Sequence, residues 1–160
     1  MEKMPEAMLL GRFDVKVDKR GCVCIPSEWR KAMGSPSQAY LVKDVHEQCL
    51  DLIPKGQFDE YASSDIADPA ESAIRDRIKQ EAQQVSIGDR GRMRLDENLR
   101  LEVAIHDTVA MVGEMRYIKL WNPDMLARES ELSAEELNRL LEVLDGGVEK
   151  SRVLSAVERA

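Results

Sequence analysis

The chain has 160 residues and a mass of 18.1 kDa, which suits one domain or two very small ones sharing a core. Apolar residues make up 43% and aromatics only 4%, so the core has to be built from Val, Ile, Leu and Met. A net charge of −7 argues against a chain that coats nucleic acid with its whole surface, but not against one carrying a local basic patch.

Phe13, Val15 and Val17 alternate with Asp14, Lys16 and Asp18, the period-two signature of a half-buried strand. Asp18-Lys19-Arg20-Gly21 reads as a tight turn, and Val23 and Ile25 resume the inward face. Pro26-Ser27 opens a short helix through Met33, which Gly34-Ser35-Pro36 ends. Strands follow at Ala39–Lys43 and Cys49–Ile53, joined by the polar loop Asp44–Gln48. A helix then starts near Lys55 with Phe58 and Tyr61 on one side. Residues 62–69 read as a linker, and Pro69 to about Gln83 as a polar helix. The pattern then returns. Val85 and Ile87 alternate, Gly88-Asp89-Arg90-Gly91 turns, Met93 and Leu95 alternate, and a helix runs from Asp96 to about Val103. Two strands, Val109–Gly113 and Tyr117–Trp121, precede a helix opened by Asn122-Pro123.

The chain therefore repeats itself. Gly21, Pro26 and Arg30 correspond to Gly91, Asp96 and Arg100 at an offset of 70, and residues 51–54 to residues 119–122 at an offset of 68. Each half is small for an independent core, so the two are expected to share one. The predicted division is a first repeat over 11–61, a linker and helix over 62–82, a second repeat over 83–128, and an acidic helical tail over 129–160. In that tail Ser133-Ala134-Glu135-Glu136 has the form of a capping box, and Leu137, Leu140, Leu141 and Leu144 form a helical stripe. That stripe either folds back on its own chain or docks on a neighbour. A second tail helix is expected over residues 148–160.

Asp18-Lys19-Arg20-Gly21-Cys22-Val23-Cys24-Ile25-Pro26 followed by Trp29-Arg30, the strand pair Val42–Pro54 with its Cys49-Leu50, and Gly91-Arg92 with Ile118-Lys119-Leu120-Trp121 together resemble the MraZ family of bacterial transcriptional regulators. The resemblance spans roughly residues 11–128. It implies an α+β fold of two tandem AbrB-like swapped-hairpin, β-barrel-like repeats that share a core, with a helical C-terminal tail. It also implies a sequence-specific repressor of the division and cell-wall gene cluster, cytoplasmic and nucleoid-associated. Such a repressor would form a homo-oligomeric ring that grips direct repeats in double-stranded promoter DNA.

The family's hairpin turns carry an Asp-x-x-x-Arg motif on the DNA-facing side. Here the first turn keeps Asp18 but has Cys22 where Arg is expected, and the second keeps Arg92 but has Gly88 where Asp is expected. Neither half can complete the pair alone. Arg20 and Asp89 are nearby substitutes, and a regulator with weakened or altered DNA binding is the other outcome.

DNA binding needs cations at phosphate spacing on a surface that straddles a groove. Residues 11–31 hold six bases against three acids. Arg90, Arg92 and Arg94, two apart, fall on one face of a strand. The candidate DNA-contacting residues are Lys16, Asp18, Lys19, Arg20, Arg90, Arg92 and Arg94; Arg30 and Arg100, equivalent on the two repeat helices, are equally suited to holding loop carbonyls. A solvated hairpin with charged edges is the alternative to DNA contact. Cys22, Cys24, His46 and Cys49 are zinc-ligand types, but Cys-x-Cys is tighter than usual ligand pairs, so no metal and no cofactor is predicted. No nucleophile elbow, phosphate-cradling glycine run or HExxH supports catalysis, and the chain is not read as an enzyme. No apolar run approaches the ~18 residues of a membrane span. Met1–Glu6 lacks the apolar stretch of a secretory signal, and three cysteines make no disulfide framework, so a reducing compartment is expected. A second function compatible with these features is an oligomeric interaction module that kept the fold, lost DNA affinity and uses its tail on a protein partner.

Overall fold

Alternation along Arg12–Lys16 makes a strand, β1, whose Phe13 and Val15 turn inward while Arg12, Asp14 and Lys16 stay in solvent. The computed structural model describes residues 9–34, 38–129 and 134–145. After β1 come β2 (Cys22–Cys24), α1 (Ser27–Ala32), β3 (Gln38–Lys43), β4 (Leu50–Pro54), α2 (Lys55–Ala62) and α3 (Pro69–Glu81). The second half runs β5 (Gln83–Ser86), β6 (Arg92–Arg94), α4 (Glu97–Glu102), β7 (Thr108–Gly113), β8 (Ile118–Trp121) and α5 (Pro123–Glu129), and the described chain ends in α6 (Ala134–Asp145). The fold is α+β and its strand pairs are antiparallel. Strand bounds differ from the sequence reading by a residue or so. The helix expected to reach Gln83 stops at Glu81, because Gln83 is already paired with Leu41 in the sheet.

The halves exchange strands. The six-stranded sheet has the order β1-β7-β8-β4-β3-β5, so β1 pairs with β7 of the second half and β5 with β3 of the first. β2 and β6 form a separate two-stranded ribbon. The barrel-like closure implied by the resemblance is absent among the described residues: the sheet is open, with β1 and β5 at its edges. The two segments able to bridge those edges, β2 and β6, are three residues each and pair with one another instead.

One core takes side chains from both halves. Val23, Ile25, Leu41 and Leu52 pack in the same cluster as Met93, Leu95, Val109 and Leu120, each 0–1% exposed. Trp29 on α1 stands edge-on to Phe13, with ring centroids 4.8 Å apart, and its indole N–H donates to the Leu10 carbonyl at 3.1 Å. On the opposite face of the sheet Tyr40 stacks on Phe58 of α2 at 4.2 Å.

The helix starts differ in chemistry. Asp96 caps α4 by accepting from the Leu99 N–H at 3.0 Å, whereas Pro26, its equivalent before α1, caps without a side-chain bond. Asp68 caps α3 through the Glu71 N–H at 3.1 Å, with Pro69 in the first turn. Contacts divide the chain into two units, Met1–Met125 and Leu126–Ala160. Within the second, α6 carries exposed Leu137, Leu140 and Leu144 along one stripe. Ser133 of the expected capping box and the helix expected over 148–160 lie outside the described residues.

Candidate nucleic-acid interface

The two turns are built alike because the two sequences place glycine at the same point. Gly21 and Gly91 hold φ of +79° and +75°, and their N–H groups donate to Asp18 and Gly88 carbonyls at 3.0 and 2.9 Å. Each turn is then tied to the other half. The Ile25 N–H donates to the Gly91 carbonyl and the Leu95 N–H to the Gly21 carbonyl, both at 2.9 Å. The turns thus cap the two ends of the β2–β6 ribbon, which spans only about 10 Å at ~3.3 Å per residue.

The ribbon has two faces. Val23 and Met93, opposite one another in register, point into the core and are 1% exposed. Cys22, Cys24, Arg92 and Arg94 therefore share the outward face, with Cys22 opposite Arg94 and Cys24 opposite Arg92. Lys19, Arg20 and Arg90 are exposed in the turns at its ends. Lys16 is exposed too, but it belongs to the six-stranded sheet, opposite Thr108, and not to the ribbon.

The split motif meets across the halves. Asp18 Oδ2 accepts from Arg92 at 2.6 Å, while its Oδ1 accepts from the Arg20 and Cys22 N–H groups at 2.8 and 2.9 Å. The Cys22 N–H above all, then the Arg20 N–H and the Arg92 guanidinium, hold the Asp18 carboxyl below the ordinary range. The other two motif positions, Cys22 and Gly88, line one shallow depression of about 490 Å³ together with Arg90, Arg92 and Arg94. One composite Asp–Arg pair is kept, and the second is missing at both of its positions. The two local substitutes contribute backbone only: Arg20 gives its N–H to Asp18, and Asp89 its carbonyl to Arg30.

Arg30 and Arg100, which the sequence offers as holders of loop carbonyls, both donate to carbonyls here. Arg30 of α1 donates to the Asp89 carbonyl at 3.0 Å, and Arg100 of α4 lies against Gly21 and reaches the His106 carbonyl at 3.5 Å. Arg30 thus bonds to the turn of the opposite half, whereas Arg100 lies beside the opposite turn and bonds within its own half. Their equal spacing in the two repeats was the available sequence signal. The cross-half pairing of Asp18 with Arg92 had one too, since losses at complementary positions are what a shared pair leaves behind.

A second polar cluster lies on the sheet face away from the core. Asp44, Cys49 and Asp51 bring ligand-type atoms within 4.8 Å of one another, the one such group among the described residues, and it includes neither Cys22, Cys24 nor His46. Its geometry suits proton sharing between carboxyls. Burial first, and then the hydrogen bond and charge of Asp44, push Asp51 up to about 8. Burial opposes ionisation of Asp44 as well. The hydrogen bond from Asp51 and the N–H groups of His46 and Glu47 nevertheless hold it below its ordinary value. Burial likewise opposes the charge on Lys119, which its bond to Glu47 more than restores. Beside the cluster, a cavity of about 530 Å³ opens between β3, β4 and α2, lined in part by Val42, Asp51, Ile53, Gln57, Tyr61 and Tyr117.

The two halves of this α+β chain thus jointly build one exposed, arginine-bearing ribbon. The chain is 31% identical over 133 residues to the transcriptional regulator MraZ of Thermomicrobium roseum, covering 81% of this chain and 92% of that one. It is 25% identical over 147 residues to the transcriptional regulator MraZ of Nitrosococcus oceani, covering 86% and 99%. It is also 25% identical over 138 residues to that of Roseiflexus castenholzii, covering 84% and 93%. No family model matches the chain. The chain belongs to the MraZ family of transcriptional regulators. No helix among the described residues is long and apolar enough to cross a membrane.

Proposed function

We propose that the chain is a sequence-specific DNA-binding repressor of the division and cell-wall gene cluster. It would grip promoter direct repeats through the paired turns of two swapped-hairpin repeats, which correspond to residues 11–61 and 83–128. The observation that carries this reading is the Asp18–Arg92 pair at 2.6 Å, which joins in space the two motif residues that the sequence separates. Lys19, Arg20, Arg90 and Arg94 surround it, exposed and free of the core, as phosphate contacts require. One such face makes few contacts, so useful affinity needs several protomers on matched repeats, and a homo-oligomeric ring supplies them. Lys16, set in the neighbouring sheet, is the outermost contact in this arrangement.

Fluorescence anisotropy with promoter-proximal direct-repeat DNA tests the reading. Sub-micromolar binding that weakens steeply with salt and with Arg92→Ala is the expected result. Unchanged binding in both Arg92→Ala and Arg20→Ala removes the site assignment. No binding at low salt favours a second reading, an interaction module that works through its tail. The exposed leucines of α6 support that alternative.

A further inference from the structure

We propose that Cys22 and Cys24 form a thiol modification site for anionic low-molecular-weight disulfides, and that the exchange weakens DNA binding by the ribbon. The modification chemistry stands on the ribbon alone, whereas its effect on DNA rests on the function proposed above.

Strand alternation sets the geometry. With Val23 buried at 1% exposure, its neighbours Cys22 and Cys24 point outward together. Antiparallel pairing puts Arg94 opposite Cys22 and Arg92 opposite Cys24, so two thiols and two guanidinium groups share one small exposed face. Cys24 and both arginines are exposed and Cys22 is half-buried, so a small reagent reaches the sulfurs. Arg92 is itself held at this end of the ribbon by Asp18 at 2.6 Å. The chain holds its own reference thiol. Cys49 is 0% exposed, and burial pushes its thiol far up, away from reactivity.

The step is ordinary thiol–disulfide exchange. The Cys22 or Cys24 thiol gives its proton to solvent, and the thiolate attacks one sulfur of the disulfide. A protein–reagent S–S bond forms, the reagent's own S–S bond breaks, and its other half leaves as a thiolate. Oxidation of the protein sulfur is matched by reduction of that leaving half. The guanidinium pair raises the local concentration of an anionic disulfide and disfavours a cationic one. The product carries carboxylates against Arg92 and Arg94, where DNA phosphate is proposed to sit. Cys22 occupies the motif position where the family has arginine, so one modification both fills and recharges the place of the lost pair.

Intact and peptide mass spectrometry of the full chain, treated with glutathione disulfide or with cystamine at matched concentration, tests the site. Glutathione disulfide is expected to modify Cys22 and Cys24 before Cys49. It should act at least about threefold faster than cystamine at low salt, with the preference shrinking at high salt and in Arg94→Ala. Equal rates for the two reagents, or first modification at Cys49, overturn the site. Anisotropy tests the consequence. The modified protein should bind DNA at least about tenfold more weakly, dithiothreitol should restore it, and the Cys22→Ser/Cys24→Ser variant should ignore the disulfide. Unchanged affinity after stoichiometric modification overturns the coupling. Charge-selective modification of a protein that binds no DNA even when reduced overturns the function reading and leaves the modification site standing.

Discussion

Gly21 and Gly91 both adopt the left-handed backbone, but a Cβ would meet different neighbours at the two positions. At Gly91 it would lie 2.4 Å from Arg30 Cδ and 2.7 Å from the Ile25 carbonyl, while at Gly21 the nearest atom is the Leu95 carbonyl at 3.5 Å. Gly21→Ala should cost only the backbone term, about 1–2 kcal/mol. Gly91→Ala adds displacement of Arg30 and of the Ile25 backbone carbonyl and should cost about 1–3 kcal/mol more. Urea unfolding of both variants measures the gap, and equal midpoints would show that the side chain and the carbonyl both yield freely. Asp18 and Arg92 make a prediction of their own on the proposed interface. Residues acting as one pair lose their effect together, so Asp18→Ala and Arg92→Ala should each weaken DNA binding by roughly threefold to tenfold. The double variant should lose little more than either alone. Additive losses, read by anisotropy, would mean that Arg92 works without Asp18. The sequence displays each of these residues and even the complementary gaps at Cys22 and Gly88. It does not display their meeting, because the contact joins positions 74 residues apart.

Among the elements, β4 and its loop carry a pH-dependent term. Asp51 alternates with Leu50 and Leu52, which fill the core, so its carboxyl falls on the opposite face beside Asp44. It keeps its proton up to about 8, against an ordinary 3.8. Between those values the native state binds a proton that the unfolded chain has released, so stability falls as pH rises through the window. Asp51→Asn keeps a donor toward Asp44 without the charge. It should raise the melting temperature by roughly 2–4 °C on the alkaline side of the window and flatten the slope. Thermal melts across the window decide this, and an unchanged slope would place the titration elsewhere. In α3, Asp68→Ala should cost about 1 kcal/mol through loss of its bond to the Glu71 N–H; helix content by circular dichroism alongside urea melts tests it. Strand existence and inward faces were legible because alternation at Phe13, Val15, Val23, Ile25, Met93 and Leu95 reports burial directly. Strand partners were not. A period of two says which face is buried but not which strand lies alongside, so β1 with β7 and β5 with β3 emerge only from the fold. The open sheet was hidden for the same reason.

At the scale of the whole molecule, a chain of net charge −7 presents a ribbon and turns, residues 16–24 and 86–94, with six bases against two acids. Repeat exchange is what concentrates them, since each half alone supplies only half of the face. The acids lie largely elsewhere, with eight of them from Glu129 onward. DNA bound at such a face feels local cations at contact distance, while charges farther away than the screening length act on it only weakly. Salt dependence should therefore be steep while total affinity stays modest. Contact with about five phosphates per protomer predicts a log–log slope of about −4 to −5 for each protomer engaged. Arg94→Ala should reduce that slope by about 0.9 per protomer. Lys55→Ala should leave it unchanged, because Lys55 is on α2, away from the ribbon. Light scattering in the same buffers gives the number of protomers, so the slope can be divided by subunit count. A monomer with sub-micromolar affinity would contradict the multivalent reading. An oligomer with a slope near zero would contradict the ribbon, because cations that release no counterions do not face phosphate.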